Sequence, residues 1–200
     1  MITLLTSPAS PYARKVRVLL LETGQQDIAL HDVTTTPVAT APEVAAANPV
    51  GKIPALVRDG GAAIYDSRVI CRFLDARAGA GLYPETHLWE TLTLEATADG
   101  ILDAAVISVY EKRIRPEELW YQPWLDAQWG KVSHALDALE SRWISHLRGP
   151  MDMSHVAVGC ALGYLDFRHG DKDWRAGRDA LTAWEADFAN RDSMKATLPG

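Results

Sequence analysis

The N-terminal segment constrains the fold most, because a short apolar run passes directly into a turn and then into a helix. Residues 2–6 predict a strand, and the turn that follows reads Ser7-Pro8-Ala9-Ser10-Pro11. Proline is favoured at the first helical position, since the N–H that it lacks would have no partner there. Ser10 therefore precedes the first helical turn, beside unpaired backbone N–H groups and the positive end of the helix dipole. We expect this turn to hold an anion.

A β-α-β-α-β-β-α order is predicted for the first 78 residues. Asp59-Gly60-Gly61 separates two short apolar runs, which is a hairpin signal. This order favours an α/β domain in which helices cover a small mixed sheet. The predicted strands cover residues 2–6, 27–33, 53–57 and 62–65, and the predicted helices cover residues 11–23, 41–47 and 66–77.

A glycine-rich step, Ala78-Gly79-Ala80-Gly81, marks the predicted domain boundary. Strand signals fade beyond it, and apolar residues recur at helical spacing. We predict a first domain at residues 1–78, a linker at residues 79–87 and an all-helical domain at residues 88–200. The helices of this second domain are predicted at residues 88–112, 117–147, 153–167 and 174–189.

Composition limits the classes of partner. The net charge of −6 argues against nucleic acid and anionic membranes as main partners. No signal-peptide pattern is present, and no apolar run reaches the roughly 20 residues that span a bilayer. Cys71 and Cys160 form no disulfide framework, so a cytoplasmic location is expected. The six histidines show no metal-ligand spacing, and no metal site is predicted.

Two further segments carry polar or conformational signals. Ile53-Pro54 follows Asn48-Pro49-Val50-Gly51-Lys52, and spacing alone favours the trans form of this X-Pro bond. A cis bond would instead expose the Ile53 N–H and C=O, so that a peptide ligand could pair with them as an added strand. Asp66-Ser67 opens a helix directly after a strand, where Asp66 is expected to be the N-cap. The same helix N-terminus offers the Ser67 N–H and hydroxyl to a carboxylate.

Together these motifs resemble the cytosolic glutathione S-transferases. The resemblance is carried by Ser-Pro-Tyr at residues 10–12, Asn-Pro-Val-Gly-Lys-Ile-Pro-Ala-Leu at residues 48–56 and Tyr-Asp-Ser-Arg-Val-Ile at residues 65–70. Segments 95–105 and 160–168 resemble a bacterial, serine-type branch of the superfamily. The likeness covers nearly the whole chain. It implies a thioredoxin-like domain followed by an all-α helical domain, glutathione as co-substrate and a homodimer.

The resemblance assigns the catalytic role to Ser10. This residue matches the position whose hydroxyl or thiol meets the glutathione sulfur, and Ser-Pro-Tyr-Ala resembles the Cys-Pro-Tyr-Cys motif of glutaredoxins without its sulfurs. A hydroxyl cannot form a mixed disulfide, so glutaredoxin chemistry is not expected. Ser7 is a rival because it stands closer to the end of the strand. Tyr12 is a weaker rival.

The resemblance also implies the rest of the glutathione site. Ile53 and Pro54 match the cis-proline step that pairs with the cysteinyl backbone. Asp66 and Ser67 match the pair that holds the γ-glutamyl end, and Lys52 falls where many members place a residue near the glycyl end.

The expected reaction is attack of the glutathione thiolate on a small hydrophobic electrophile. Two alternatives remain open: a glutathione-dependent isomerase, dehalogenase or lyase, and a non-catalytic transferase-like binding protein. Tyr110, Arg113 and Tyr164 are candidates for the second-substrate pocket, although the sequence does not place them. The chain departs from the family pattern at Asp152, which stands where an N-cap Ser or Thr is usual.

Overall fold

The protein forms two compact units in a computed structural model that describes residues 1–199. The first unit comprises Met1–Pro84 together with the described residues from Asp192 onward. The second comprises Glu85–Arg191. The predicted combination of a thioredoxin-like α/β domain and a helical domain is confirmed.

The first unit contains the β-α-β-α-β-β-α order that the sequence predicted. Every boundary lies within two residues of the predicted one, and the largest shifts, of two residues each, are at the starts of the second and third strands. The elements are β1 (Ile2–Thr6), α1 (Pro11–Glu22), β2 (Ala29–Asp32), α2 (Pro42–Ala47), β3 (Ala55–Arg58), β4 (Gly61–Ile64) and α3 (Ser67–Ala78).

The four strands form one mixed sheet in the order β2-β1-β3-β4. β1 runs parallel to β2, whereas β3 is antiparallel to both β1 and β4. Leu5 pairs with Ala55, and Leu56 pairs with Ile64. The C-terminal ends of β1 and β4 and the N-terminal end of β3 therefore lie at the same edge of the sheet. Helices α1 and α3 both begin at this edge, since each directly follows one of these strands.

Both faces of the sheet are buried. Leu5 and Ala55, which pair in register, pack with Val44 of α2 on one face. Leu4 and Leu56 form the next pair and are fully buried on the opposite face. This packing on both faces holds the ends of β1 and β3 in place.

The C-terminal segment adds a helix that the sequence analysis did not predict. Helix α9 (Asp192–Ala196) belongs to the first unit, whereas the sequence analysis had assigned these residues to the helical domain. The Arg14 guanidinium, 4% exposed, donates to the Met194 carbonyl oxygen at 3.0 Å and to Thr197 Oγ1 at 3.4 Å. A buried guanidinium needs such acceptors, and residues 194–197 supply them to α1.

The second unit is entirely helical among its described residues. One predicted helix, residues 117–147, is divided in the structure. Pro123 lacks an N–H and is tolerated only in the first turn of a helix, so a new helix begins at Gln122. The elements are α4 (Leu88–Ile114), a 3-10 turn (Glu117–Leu119), α5 (Gln122–Ala138), a π-helical stretch (Leu139–Trp143), α6 (Ile144–Leu147), α7 (Met153–Arg168) and α8 (Asp179–Phe188).

Helix α8 begins five residues later than predicted. Gly177 has a φ of +74°, which lies outside the helical region and prevents a helix from running through it. Helix α7 is buried along most of its length and packs against α4. Within residues 1–199, no helix is both long enough and apolar enough to span a membrane.

Candidate active site

Three segments of the first unit meet at one edge of the sheet. Ser7 to Ser10 follow β1, Lys52 to Pro54 precede β3, and Asp66 follows β4. Neighbouring strands lie about 4.8 Å apart, so the outer two segments are separated by roughly 10 Å. An extended tripeptide spans a similar length, at about 3.3–3.6 Å per residue. The edge therefore has the dimensions to bind a short extended peptide.

Ser10 is the N-cap of α1. Its Oγ accepts the Ala13 N–H at 3.3 Å, and its backbone conformation is extended, as an N-cap requires. Accepting this bond leaves the hydroxyl hydrogen available to a ligand, because a serine hydroxyl is both donor and acceptor. The Ser10 side chain is therefore placed to donate to an anion at the positive end of α1.

The two rivals of Ser10 occupy different positions in the turn. The Ser7 carbonyl oxygen accepts the Ser10 N–H at 3.1 Å, so Ser7 shapes the turn through its backbone. Tyr12 lies within the first turn of α1 and is half-buried. Of these three residues, only Ser10 caps the helix through its side chain.

The Ile53-Pro54 peptide bond is cis. The trans form that local spacing favoured is wrong, and the cis form agrees with the family resemblance. Among residues 1–199, no group forms a hydrogen bond with the Ile53 main chain. Lys52 beside it is exposed. This backbone can therefore pair with an extended ligand.

Asn48 holds the loop that carries these residues. Its Oδ1 accepts the Val50 N–H at 2.9 Å, and its Nδ2 donates to the Lys52 carbonyl oxygen at 2.8 Å. Gly51 has a φ of +69°, and a Cβ there would lie 3.1 Å from Thr40 Oγ1. The sequence analysis did not single out Asn48, although an Asn before Pro is a known turn signal.

Replacing Asn48 by alanine should loosen this loop. Two hydrogen bonds to backbone groups are lost, and each contributes about 0.5–1.5 kcal/mol. We expect the free energy of unfolding to fall by about 1–3 kcal/mol, measured by urea denaturation. Asn190→Ala is the matched control, because Asn190 is exposed and its side chain makes one bond, to the Ala186 carbonyl oxygen. Equal losses in the two variants would contradict the role given to Asn48.

Asp66 and Ser67 open α3. Asp66 is the N-cap: its Oδ1 accepts the Arg68 N–H at 3.0 Å, and its Oδ2 forms an ion pair with the Arg68 guanidinium at 2.9 Å. Burial raises the pKa of Asp66, but the hydrogen bond and charge of Arg68 outweigh it and lower the pKa below its usual value. The carboxylate is therefore ionised at neutral pH, and about half of its surface is exposed to a ligand. Ser67 is buried beside it.

The edge thus offers charges of both signs. Asp66 provides a negative charge, whereas Lys52 and the N-termini of α1 and α3 provide positive potential. A peptide that carries both a positive and a negative group is complementary to this edge. Arg68, which the sequence analysis did not single out, donates to the Asp66 carboxylate and lowers its pKa.

In the second unit, one group of side chains is close enough to hold a metal ion among the residues that the structure describes: His146, Asp152 and His155. These groups already bond to one another. His146 Nε2 lies 2.8 Å from Asp152 Oδ2, and His155 Nδ1 lies 2.9 Å from Oδ1. Asp152 also caps α7 by accepting the Ser154 N–H. The contacts are those of a helix cap, and the expectation of no metal site stays a prediction.

Two family models match the chain. The model described as glutathione S-transferase, N-terminal domain, matches residues 4–82, and the model of the C-terminal domain matches residues 122–187. The chain belongs to the glutathione S-transferase family. The uncharacterised GST-like protein YibF of Escherichia coli K12 is a relative, 32% identical over 202 residues and 98% of each chain.

Solved structures of this family agree in fold over the full chain. A glutathione transferase family member from Pseudomonas fluorescens Pf-5 with bound glutathione is 46% identical, with a TM-score of 0.97 and complete coverage of both chains. A second structure from the same organism, with bound S-(propanoic acid)-glutathione, has a TM-score of 0.92, 46% identity and complete coverage of both chains. The likeness of this chain to other glutathione S-transferases therefore extends through both units.

Proposed function

We propose that this protein is a glutathione transferase. It binds glutathione at the edge of the sheet, keeps the glutathione sulfur ionised and transfers the glutathionyl group to a small electrophile. The observation that carries this proposal is the Ser10 hydroxyl. It caps α1, keeps its hydrogen available and lies at the positive end of the helix. In support, a relative that is 46% identical contains bound glutathione.

The chemistry depends on the protonation state of the sulfur. A cysteine thiol has a pKa of about 8.5, so most of it is protonated at neutral pH. A donated hydrogen bond and a helix N-terminus both favour the thiolate and lower that value. The thiolate then forms a C–S bond at the electrophilic carbon, and the leaving group departs with the electron pair of the bond that breaks. The thioether bound by the Pseudomonas relative, S-(propanoic acid)-glutathione, is of the kind that such a step forms.

The remaining residues hold the two ends and the middle of the tripeptide. Asp66 receives the γ-glutamyl amino group, and the Ser67 N–H and hydroxyl receive its carboxylate. The Ile53 backbone beside Pro54 pairs with the cysteinyl residue, and Lys52 lies toward the glycyl carboxylate. The family resemblance implies these roles, and the charges and unpaired backbone groups at the sheet edge support them.

We further propose that the protein acts as a homodimer in the cytoplasm on a small hydrophobic electrophile. Cys71 and Cys160 are both buried thiols, which is compatible with a reducing compartment. Sedimentation velocity measures the assembly state directly, and a single species near the monomer mass of 21.9 kDa would contradict the dimer.

The function is tested in two steps. Retention on immobilised glutathione, with elution by free glutathione, tests binding. Turnover of 1-chloro-2,4-dinitrobenzene, followed by the absorbance of the thioether, tests transfer. Retention with turnover supports the proposal. Retention without turnover of this or of other electrophiles favours the binding protein, and no retention contradicts the glutathione site.

Asp66→Asn should weaken glutathione binding about 10- to 100-fold. Asparagine is an N-cap as good as aspartate, so α3 is preserved while the charge is lost. A hydrogen bond to a charged group contributes about 1.5–3 kcal/mol, which corresponds to that range of affinity. The dissociation constant is measured by isothermal titration calorimetry at pH 7. Asp59→Asn is the control, since Asp59 is exposed in the hairpin turn. Unchanged affinity in Asp66→Asn would contradict the role of its charge.

A further inference from the structure

Helix α1 is hydrogen-bonded to residues 192–199 close to its own N-terminus. The Arg14 guanidinium donates to the Met194 carbonyl oxygen at 3.0 Å and to Thr197 Oγ1 at 3.4 Å. Helix α9 packs against α1, and both helices belong to the first unit. This contact therefore lies within the unit that carries the proposed glutathione site.

The contact is buried, and its acceptors are themselves held in place. Arg14, Met194 and Thr197 are all buried. A buried guanidinium keeps its charge, so its donors need acceptors within the protein. The Thr197 hydroxyl donates its hydrogen to the Ser193 carbonyl oxygen at 2.8 Å, which leaves its oxygen to accept from Arg14. The Arg14 side chain is thus fixed by a segment that is ordered by its own hydrogen bonds.

Arg14 also stands one helical turn after Ser10. Its backbone N–H donates to the Ser10 carbonyl oxygen at 3.0 Å, which is the first hydrogen bond of α1. The Ala13 N–H beside it donates to Ser10 Oγ. Arg14 therefore bonds to the N-cap through its backbone and to residues 194–197 through its side chain. A shift of the first turn of α1 would break the buried hydrogen bonds of Arg14.

The position of this first turn decides where the Ser10 hydroxyl lies. Helix ends fray more readily than helix centres, and the N-cap is the outermost residue that the helix holds. A misplacement of a reacting group by about 1 Å can lower the rate of a reaction about 100-fold. A buried contact that holds the first turn from the side therefore affects the hydroxyl that is proposed to donate to the thiolate.

We propose that Arg14 is a positioning residue for the transfer reaction. By joining the first turn of α1 to residues 194–197, it holds the Ser10 hydroxyl at the place where that hydroxyl donates to the glutathione sulfur. This inference rests on the proposed function and gives residues 194–197 a part in it, although they lie far from Ser10 in the sequence. Arg14 acts through the geometry of Ser10 rather than through its own charge.

The first test changes the contact from both sides. Arg14→Gln removes the guanidinium, whereas Thr197→Val removes one acceptor and keeps both the side-chain shape and the charge of Arg14. We expect kcat for 1-chloro-2,4-dinitrobenzene to fall about 10-fold in Arg14→Gln and about threefold in Thr197→Val, with KM for glutathione within about twofold of the wild type. The pKa of the bound glutathione thiol, measured by the ultraviolet absorbance of the thiolate, should rise in both variants.

Two further variants separate position from charge. Arg14→Lys keeps the charge but not the planar donors that reach two acceptors, so it should recover only part of kcat. Ser193→Ala is the matched control for Thr197→Val, because it removes a buried hydroxyl of the same segment that bonds to Glu22 at the other end of α1. It should leave kcat and the thiol pKa unchanged. A wild-type thiol pKa in both Arg14→Lys and Thr197→Val would overturn the inference, since the charge of Arg14 alone would then matter.

A measurement without glutathione separates this inference from the proposed function. Amide hydrogen exchange of Ala13 and Arg14, followed by NMR on the full-length protein, reports on the first turn of α1. We expect both amides to exchange at least about threefold faster in Thr197→Val, with Leu19 in the middle of α1 unchanged. Unchanged exchange of Ala13 and Arg14 overturns the inference, even if Ser10 stabilises the thiolate. Faster exchange in a protein whose transfer rate does not depend on Ser10 supports the contact and contradicts the proposed function instead.

Discussion

Replacing Ser10 by alanine is expected to lower kcat for glutathione conjugation about 10- to 100-fold. The hydroxyl is proposed to donate to the thiolate, and such a bond to a charged group contributes about 1.5–3 kcal/mol. The pKa of the bound glutathione thiol should rise toward its solution value. The pH dependence of kcat for 1-chloro-2,4-dinitrobenzene, and the ultraviolet absorbance of the thiolate, both measure that shift.

Loss of the helix cap must be separated from loss of the donor, because Ser10 also accepts the Ala13 N–H. Ser10→Ala removes both functions, and the cap alone contributes about 0.5–2 kcal/mol to stability. Ser10→Gly removes the hydroxyl at a capping cost of only a few tenths of a kcal/mol. It should therefore remain well folded and be as inactive as Ser10→Ala. Ser10→Thr keeps both functions and should retain most activity.

Ser7→Ala is the matched control for the rival residue. It should leave kcat within about threefold of the wild type, since Ser7 contributes its carbonyl oxygen to the turn rather than a capping side chain. If the pKa of the bound glutathione thiol rose in Ser7→Ala but not in Ser10→Ala, the donor to the thiolate would be Ser7.

The local parts of the site could be predicted from the sequence. Pro11 fixes the start of α1 and so makes Ser10 its cap, and Asp66 caps α3 through its own side chain. These are short-range effects that depend on residues three or fewer positions apart. The helix that begins at Gln122 follows in the same way from Pro123.

The convergence of the site depends on strand register, which no single segment encodes. Pairing of Leu5 with Ala55 brings Ser10 and Pro54 to one edge, although they lie more than forty residues apart in the chain. The cis geometry of Ile53-Pro54 could not be predicted from local spacing, because most X-Pro bonds are trans. Knowledge of the family supplied what the local pattern did not.

The sequence also did not predict which residues meet around Asp152. The sequence analysis identified Asp152 as the residue that stands where an N-cap Ser or Thr is usual, and the structure shows that Asp152 and His155 form a capping box. His146 and Thr91 come from α6 and α4, and no local pattern links them to α7. Thr91 Oγ1 donates to Asp152 Oδ2 at 2.8 Å. One buried carboxylate thereby connects three helices of the second unit.

Asp152→Ala is expected to reduce the free energy of unfolding by about 3–5 kcal/mol. Its carboxylate is 2% exposed and lies within hydrogen-bond distance of Thr91, His146, Ser154 and His155. Removing the carboxylate leaves buried hydrogen-bonding groups without a partner. This lowers stability more than the loss of an ordinary N-cap does. Urea denaturation at pH 7 measures this change. Asp126→Ala is the control, because Asp126 lies exposed on α5 and bonds to Gln122; it should cost less than about 0.5 kcal/mol.

The charge of Asp152 should also make stability depend on pH in the acid range. Burial raises the pKa of Asp152, but hydrogen bonds from His155, Ser154 and Thr91 outweigh it and hold the pKa well below its ordinary value. Below about pH 5 the unfolded chain therefore binds more protons at this site than the folded protein does. The stabilisation is fully present above the unfolded pKa of about 4 and is lost as pH falls toward the folded pKa. Asp152→Asn keeps an N-cap but has no carboxylate to titrate. Between pH 6 and pH 3, the slope of its unfolding free energy against pH should therefore be smaller than that of the wild type, by up to about 1.4 kcal/mol per pH unit. An equal slope in Asp152→Asn and the wild type would contradict a lowered pKa of Asp152 in the folded protein.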